Sequence, residues 1–414
     1  MHLLCRLDGT VIRVGPACHY PGKFLPNRPL SLSPTVKQGL SAAATLRLVP
    51  ELVAYPLFDA LPQLRQRLPV AGLLAAATPV QRLAGAEGLW LKRDDLSAPD
   101  YGGNKIRKLD LLLAQAHAAG ARELVCFGYA GSNFVAATAW HGRKLGLNTL
   151  GFLLPQVPAE YVADNLSVSL HCGAELRLRH SRTGVASAAL LRSARSVFTP
   201  GRKPFWIPPG GSSPLGVAGF VNAAFELAAQ IRRGELPEPD LIYVPFSSMG
   251  TVAGLAIGAV LARLRARIVA VQVVDGALAG LNKLGALIEA SLRFLGPAQL
   301  PSVDAVLERV KVRGEFYGGT YAKPTPAAKL AIARFQADTD ARADSAYSGK
   351  ALAALYADLD SGALRGRTTL YWHTFNRHAR PPGVRLPALD TVPAALRAYF
   401  EQSPIGAGHA AQPV

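Results

Sequence analysis

The stretch of this chain best suited to covalent chemistry is Gly102-Gly103-Asn104-Lys105-Ile106-Arg107-Lys108. It follows the charged run Lys92-Arg93-Asp94-Asp95 and opens a helical stretch, Arg107 to His117. An ordinary helix start needs only a Ser, Thr, Asp or Asn cap, not two glycines. Two glycines let backbone approach a neighbour closely, and the lysine is then placed beside it. A lysine amine held against an aldehyde cofactor forms a Schiff base, the entry step of pyridoxal-phosphate chemistry. The competing reading is a surface loop with one cation among many, and the motif alone leaves both open.

Other turns sit where strands should hand over to helices. Leu241 to Pro245 reads as a strand that runs into Ser247-Ser248-Met249-Gly250-Thr251 and then a helix, Val252 to Arg263. A helix N-terminus behind a small-residue turn offers free backbone N–H groups and a positive dipole end, which suits a phosphate. A plain turn with capping serines fits the same residues. The segment lacks the Gly-Lys-Ser/Thr ending of a nucleotide P-loop, which argues against ATP. Gly128-Tyr129-Ala130-Gly131-Ser132-Asn133 repeats the geometry. There Ser132 or Asn133 either caps a helix or meets a substrate carboxylate, and the Asn133 amide can hydrogen-bond a phenolic oxygen. Gly210 to Gly216 reads as a hinge or a ligand contact. Tyr317-Gly318-Gly319-Thr320-Tyr321 and Ala346-Tyr347-Ser348-Gly349-Lys350 place tyrosines in loops, where most pack with a wet hydroxyl. Tyr371-Trp372-His373-Thr374 ends a strand that can aim Thr374 at a ring nitrogen, with His373 as a structural residue.

These turns need a scaffold. From Arg107 onward helix and strand alternate: strands at Leu124–Gly128, Thr149–Leu154, Ala174–Arg179 and Pro204–Ile207, with helices at Asn133–Leu145, Ala159–His171 and Val185–Val197. A second series has helix Pro214–Arg233 and strands at 241–245, 267–274 and 369–372. Such alternation implies an α/β fold of two lobes, each a mostly parallel sheet covered by helices. The expected boundaries are an irregular N-terminal extension, 1–45; a large cofactor-binding domain, 46–111 with 213–400; a small α/β domain, 112–212; and a flexible tail, 401–414. Order is expected to begin near Leu46.

Composition sets outer limits. The chain has 414 residues, 50% hydrophobic and 18% charged, which marks a globular protein with a large core. Its 45 Lys+Arg against 28 Asp+Glu give +17. The basic residues are scattered, without a long run interleaved with aromatics, so nucleic-acid binding is not expected, while an anionic substrate is. Four cysteines, Cys5, Cys18, Cys126 and Cys172, form neither a close metal spacing nor a disulfide framework. No metal site is expected. No uninterrupted apolar run reaches the ~20 residues that span a bilayer. The first residues lack a sustained signal segment, so a cytoplasmic setting is expected.

Taken in order, the motifs resemble the fold-type-II pyridoxal-phosphate enzymes of the D-cysteine desulfhydrase and 1-aminocyclopropane-1-carboxylate (ACC) deaminase family, over roughly Thr78 to Asn376. The resemblance implies a tryptophan synthase β-like fold and pyridoxal 5'-phosphate as cofactor. It implies Lys105 as the Schiff-base lysine, Asn133 as partner of the cofactor's phenolic oxygen, and Ser247, Ser248, Met249, Gly250 and Thr251 as the phosphate cradle. Thr374 would meet the pyridine nitrogen. Ser132, Tyr321 and Tyr347 would face the substrate, with Ser132 contacting its carboxylate or assisting proton transfer. A homodimer is implied as well. ACC deaminases in the family resemble one another in having Glu at the Ser348 position and Leu at the Thr374 position. Ser348 and Thr374 are the desulfhydrase-like pair. A neutral hydroxyl on the ring nitrogen leaves a weaker electron sink, which suits loss of thiolate more than opening of a cyclopropane. The expectation is therefore a lyase acting on a small amino acid such as D-cysteine. ACC deaminase or a β-replacement enzyme with the same cofactor is an alternative, and a cofactor-binding or basic scaffold without turnover is another. The chain departs from the family at Gly131, Phe134, Met249 and Phe375-Asn376, all bordering cofactor and substrate.

Overall fold

The computed structural model describes residues 3–7, 10–14, 55–84, 87–197 and 204–401. Residues 1–48 and 49–414 form two compact units. In the first, strands β1 (Leu3–Leu7) and β2 (Thr10–Val14) pair as an antiparallel hairpin. The extension read as irregular thus contains a hairpin; its other residues, Leu46 and the tail beyond Glu401 lie outside the described residues.

In the second unit the strands sort into two sheets. Strands β3 (Val80–Arg82), β4 (Leu89–Arg93), β9 (Leu241–Phe246), β10 (Arg267–Gln272), β11 (Val310–Arg313) and β12 (Thr369–His373) form one, in the order β11-β10-β9-β12-β4-β3. All its pairings are parallel except β3 with β4. Strands β5 (Glu123–Tyr129), β6 (Asn148–Leu154), β7 (Glu175–Leu178) and β8 (Pro204–Trp206) form the other, all parallel, in the order β7-β6-β5-β8. A parallel sheet needs crossovers, and these helices bury both faces. Helices Pro214–Arg232, Gly250–Leu261 and Leu281–Leu295 cover one face of the six-stranded sheet, and Pro326–Asp338 with Ser348–Asp360 cover the other.

The sequence reading did not place helix Leu281–Leu295, β11 or the helices at 326–338 and 348–360. β11 is a four-residue edge strand in which Val alternates with Lys and Arg, a short signal, whereas the helices run 13 to 15 residues. Helix Pro214–Arg232 is apolar and long enough to cross a membrane, but most of it is buried in the core. Ser213 caps it by accepting the Gly216 N–H, with Pro214 at its first position. Its Gly219 lies against the Lys105 helix: a Cβ there would sit 1.9 Å from the Arg107 carbonyl oxygen. No residue larger than glycine permits that approach.

Candidate active site

Lys105 occupies the N-cap position of helix Ile106–Ala118, a helix whose Leu109, Leu111, Leu112, Leu113 and Ala116 are buried. The two glycines before it serve the protein's own backbone. A Cβ on Gly102 would lie 2.3 Å from the Asp95 carbonyl oxygen, so the close approach foreseen from the sequence is made to chain, not ligand. Gly103 N–H donates to the Asp94 carbonyl at 2.9 Å, and Asn104 N–H to the Thr374 carbonyl at 3.2 Å. The helix start is thereby laced to the ends of β4 and β12. Arg107 anchors it from below. Its guanidinium donates to Asp94 at 2.7 Å and to Glu226 at 2.9 Å, with all three side chains buried. Lys92 donates to the same Glu226, and Trp372 Nε1 to Asp94 at 2.7 Å. Burial pushes Glu226 upward, yet Arg107 and then Lys92 outweigh it and hold its carboxyl down to about 2. Burial lowers the Lys105 amine to about 8, against a smaller upward pull from Asp344.

Lys108, one turn further on, is fully buried. Its ammonium donates to the Gly210 carbonyl at 3.0 Å and to Ser212 Oγ at 3.3 Å, and it pairs with no carboxylate among the described residues. Burial, then the charge of Lys105, drives its pKa well below the usual lysine value. Beside it the 247–251 turn opens helix Gly250–Leu261. Gly250 N–H donates to Ser212 Oγ at 3.2 Å and to the Ser248 carbonyl at 2.9 Å. Met249 holds φ +68°, a strained conformation for a side-chain-bearing residue. Thr251 Oγ1 accepts from Asn104 Nδ2 at 3.3 Å. A buried ammonium without a counter-charge beside serine hydroxyls and a helix N-terminus is suited to a phosphate dianion.

Across the cavity, Ser132 caps helix Asn133–Lys144 by accepting the Val135 N–H at 3.3 Å. Asn133 Oδ1 accepts from Asn165 Nδ2 at 2.7 Å. Gly131 N–H donates to Gln156 Oε1 at 2.8 Å. The Tyr321 and Tyr347 hydroxyls are hydrogen-bonded to each other, and Tyr129 stacks on Tyr321 with centroids 3.9 Å apart. Burial raises both phenols far above their ordinary value, so both stay protonated. Asp344 orients Tyr347: its carboxylate accepts the N–H groups of Ala346 and Tyr347 and the Ser348 hydroxyl. Tyr347 therefore stands at the head of helix Ser348–Asp360 rather than in a loop.

A cavity of about 450 Å³ gathers Lys105, Ser132, Asn133, Ser247, Ser248, Met249, Thr251, Tyr321, Tyr347 and Thr374. Gly250 does not line it; its N–H is held by Ser212 and Ser248. His373 is buried against Phe335 at 5.2 Å, and burial lowers its pKa, so it is a neutral packing residue. Lys350 is bonded to the Tyr317 carbonyl at 2.6 Å. Sequence reasoning missed Lys108, although its spacing of three from Lys105 on one helix was a usable signal. It also missed Asp344 and the wall of Phe127, Leu154, Val185 and Arg182, which only the fold brings to the cavity, and Asn165, which the fold sets behind Asn133.

Comparison with known proteins agrees with this chemistry. A family described as pyridoxal-phosphate dependent enzymes matches residues 73–374. The chain is 36% identical to a nocardicin C-9' epimerase from Nocardia uniformis subsp. tsuyamanensis, covering 74% of this chain and 92% of the relative. It is 30% identical to the mitochondrial bifunctional D-cysteine desulfhydrase/ACC deaminase of Arabidopsis thaliana, covering 72% and 75%. A crystal structure of an ACC deaminase homologue superposes with a TM-score of 0.64 at 29% identity, covering 77% of this chain and 94% of that one. The chain belongs to the pyridoxal-phosphate-dependent enzymes of the ACC deaminase and D-cysteine desulfhydrase group, with pyridoxal 5'-phosphate as its cofactor.

Proposed function

We propose that the enzyme removes the Cα proton of a small amino acid and eliminates its β-substituent, as in D-cysteine desulfhydration. The observation that carries the proton-removal step is Lys105 on the wall of the cavity, its amine lowered to about 8 by burial. Near neutral pH it has an appreciable neutral fraction, and Asp344, the carboxylate on the cavity wall, is occupied by four donors, the N–H groups of Ala346, Tyr347 and Ser348 and the Ser348 hydroxyl. Lys105 is thus the group equipped to take up a proton. Covalently held by Lys105, pyridoxal phosphate supplies an electron sink for the charge left at Cα.

The chain's own groups complete the reading. Lys108, the 247–251 turn and Ser212 hold the phosphate, and Asn133 donates to the phenolic oxygen. Thr374 meets the ring nitrogen with a neutral hydroxyl. Ser132 contacts the substrate carboxylate, and the protonated Tyr321–Tyr347 pair donates toward the substrate. For D-cysteine, the reaction consumes one water and yields pyruvate, sulfide and ammonia. The proposal includes a homodimer in the cytoplasm, and a small lobe of residues 112–212 against a large one of 46–111 with 213–400. The sorting of strands into two sheets supports that division.

A second reading is epimerisation, in which the proton returns on the opposite face. Similarity to the nocardicin C-9' epimerase favours it, and the apolar wall of Phe127, Leu154 and Val185 offers surface for a side chain larger than that of cysteine. Both enantiomers of cysteine, ACC and O-substituted serines, assayed in deuterated water, separate the readings. Elimination releases a 2-oxo acid from cysteine or an O-substituted serine, ring opening releases one from ACC, which has no Cα proton to lose, epimerisation returns inverted and deuterated substrate, and a scaffold leaves every amino acid unlabelled. Release of no 2-oxo acid from cysteine or an O-substituted serine would overturn the elimination reading.

A further inference from the structure

The hydrogen-bond pattern around Asn133 contains a polarity that a neighbouring residue imposes. Asn165, on helix Glu160–His171, is buried. Its Nδ2 donates to the Gly131 carbonyl at 2.9 Å and to Asn133 Oδ1 at 2.7 Å, and its Oδ1 accepts from the Tyr101 hydroxyl at 3.0 Å. A carbonyl oxygen is only an acceptor, so the Asn165 atom facing Gly131 must be its NH2. The same NH2 then requires an acceptor from Asn133, which turns Oδ1 toward Asn165. The Asn133 NH2 is left for the cavity, where only a donor suits a phenolate oxygen. An amide free to flip would present either end; this one is fixed by the Gly131 backbone.

We propose that Asn165 is a positioning residue that sets the donor face of Asn133 toward the cofactor's phenolic oxygen, and so tunes the proton affinity of the lysine–cofactor link. The inference rests on the proposed role of Asn133. A donor at that oxygen stabilises it most when the link has lost its proton, so it holds the link's pKa down. Losing one hydrogen bond to a charged group should raise that pKa by about one to two pH units. Asp344 and Lys108 are the charged groups that act on Lys105, and Asp164, paired with Arg380 at 3.5 Å, and Arg342 are those that act on Tyr101; all are unaltered in the variants below.

The test is the visible absorbance of the holoenzyme as a function of pH, with no substrate present. Asn165→Ala, Asn133→Ala and the double variant are compared with wild type. Asn165→Asp, which keeps the shape but cannot donate to Gly131, covers the case where truncation prevents folding. The expected result is an upward midpoint shift in each single variant, and no further shift when Asn165→Ala is added to Asn133→Ala. An unchanged midpoint in Asn165→Asp, or equal shifts from Asn165→Ala with and without Asn133, overturns the proposal. A wild-type holoprotein without any lysine-linked band would instead refute the underlying cofactor assignment.

Discussion

Lys105 and Lys108 lie one helical turn apart, and burial lowers both, yet the tasks proposed for the two lysines are opposite. Lys105 must lose its proton to attack an aldehyde. Its pKa of about 8 means that the reactive neutral amine is the minority form below that pH. Capture of pyridoxal phosphate by the apoprotein, followed by absorbance in stopped flow, should therefore slow about tenfold per pH unit below about 8 and level off above it. A flat profile would show that another group limits capture. Lys108 must instead gain a counter-charge. Without one, its depressed pKa costs stability at neutral pH, because the unfolded chain binds that proton more readily. Lys108→Met should raise the melting midpoint of the apoprotein and weaken cofactor binding by about ten- to a hundredfold, the size of one charge-assisted hydrogen bond. A variant that loses apoprotein stability as well would make Lys108 a structural residue. Of the pair, only Lys105 stood out in the sequence as a candidate, because its flanking glycines and asparagine are a rare local pattern. Lys108 looks like any helix lysine until the Gly210–Ser212 turn closes over it.

At the scale of elements, the site depends on how β4, β12 and two helices meet. Arg107, Lys92, Asp94 and Glu226 tie them into one buried ionic cluster. Glu226 neutralises two cations at once, so Glu226→Gln leaves both buried with less compensation. That should cost about 3–5 kcal/mol of folding stability in urea titration and loosen the Lys105 helix start. A loss near zero would mean that Asp94 alone suffices. The same carboxyl makes an acid prediction. Its folded pKa of about 2 lies below its unfolded value, so its contribution is complete above the unfolded pKa. That contribution fades as pH falls toward about 2. Alternation of helix and strand was readable because parallel strands are continuous apolar runs with glycine or serine at their ends. Helix Gly250–Leu261 begins two residues earlier than its apolar pattern suggested, since Met249 takes the positive-φ position usual for glycine. The ionic cluster was not readable. Glu226 and Arg107 are 119 residues apart, and each is simply a charged residue until Gly219 lets the two helices touch.

Across the whole molecule, the charge of +17 acts on anything that approaches the cavity. Pyridoxal phosphate arrives as an anion, and the scattered Lys and Arg residues create a field that concentrates anions without specifying them. Salt shortens that reach, from about 30 Å at 0.01 M to about 3 Å at 1 M. The association rate of pyridoxal phosphate with the apoprotein should therefore fall severalfold between those limits. Pyridoxal, which has the same aldehyde but no phosphate, should bind with a rate nearly independent of salt. The difference between the two dependences isolates long-range attraction from chemistry at Lys105, which both share. Equal salt dependence for the two would place the effect in the folding or hydration of the protein. Composition suggests this attraction to anions but not its destination, because Lys108, the residue proposed to receive the phosphate, is one among the 45 Lys and Arg of the chain.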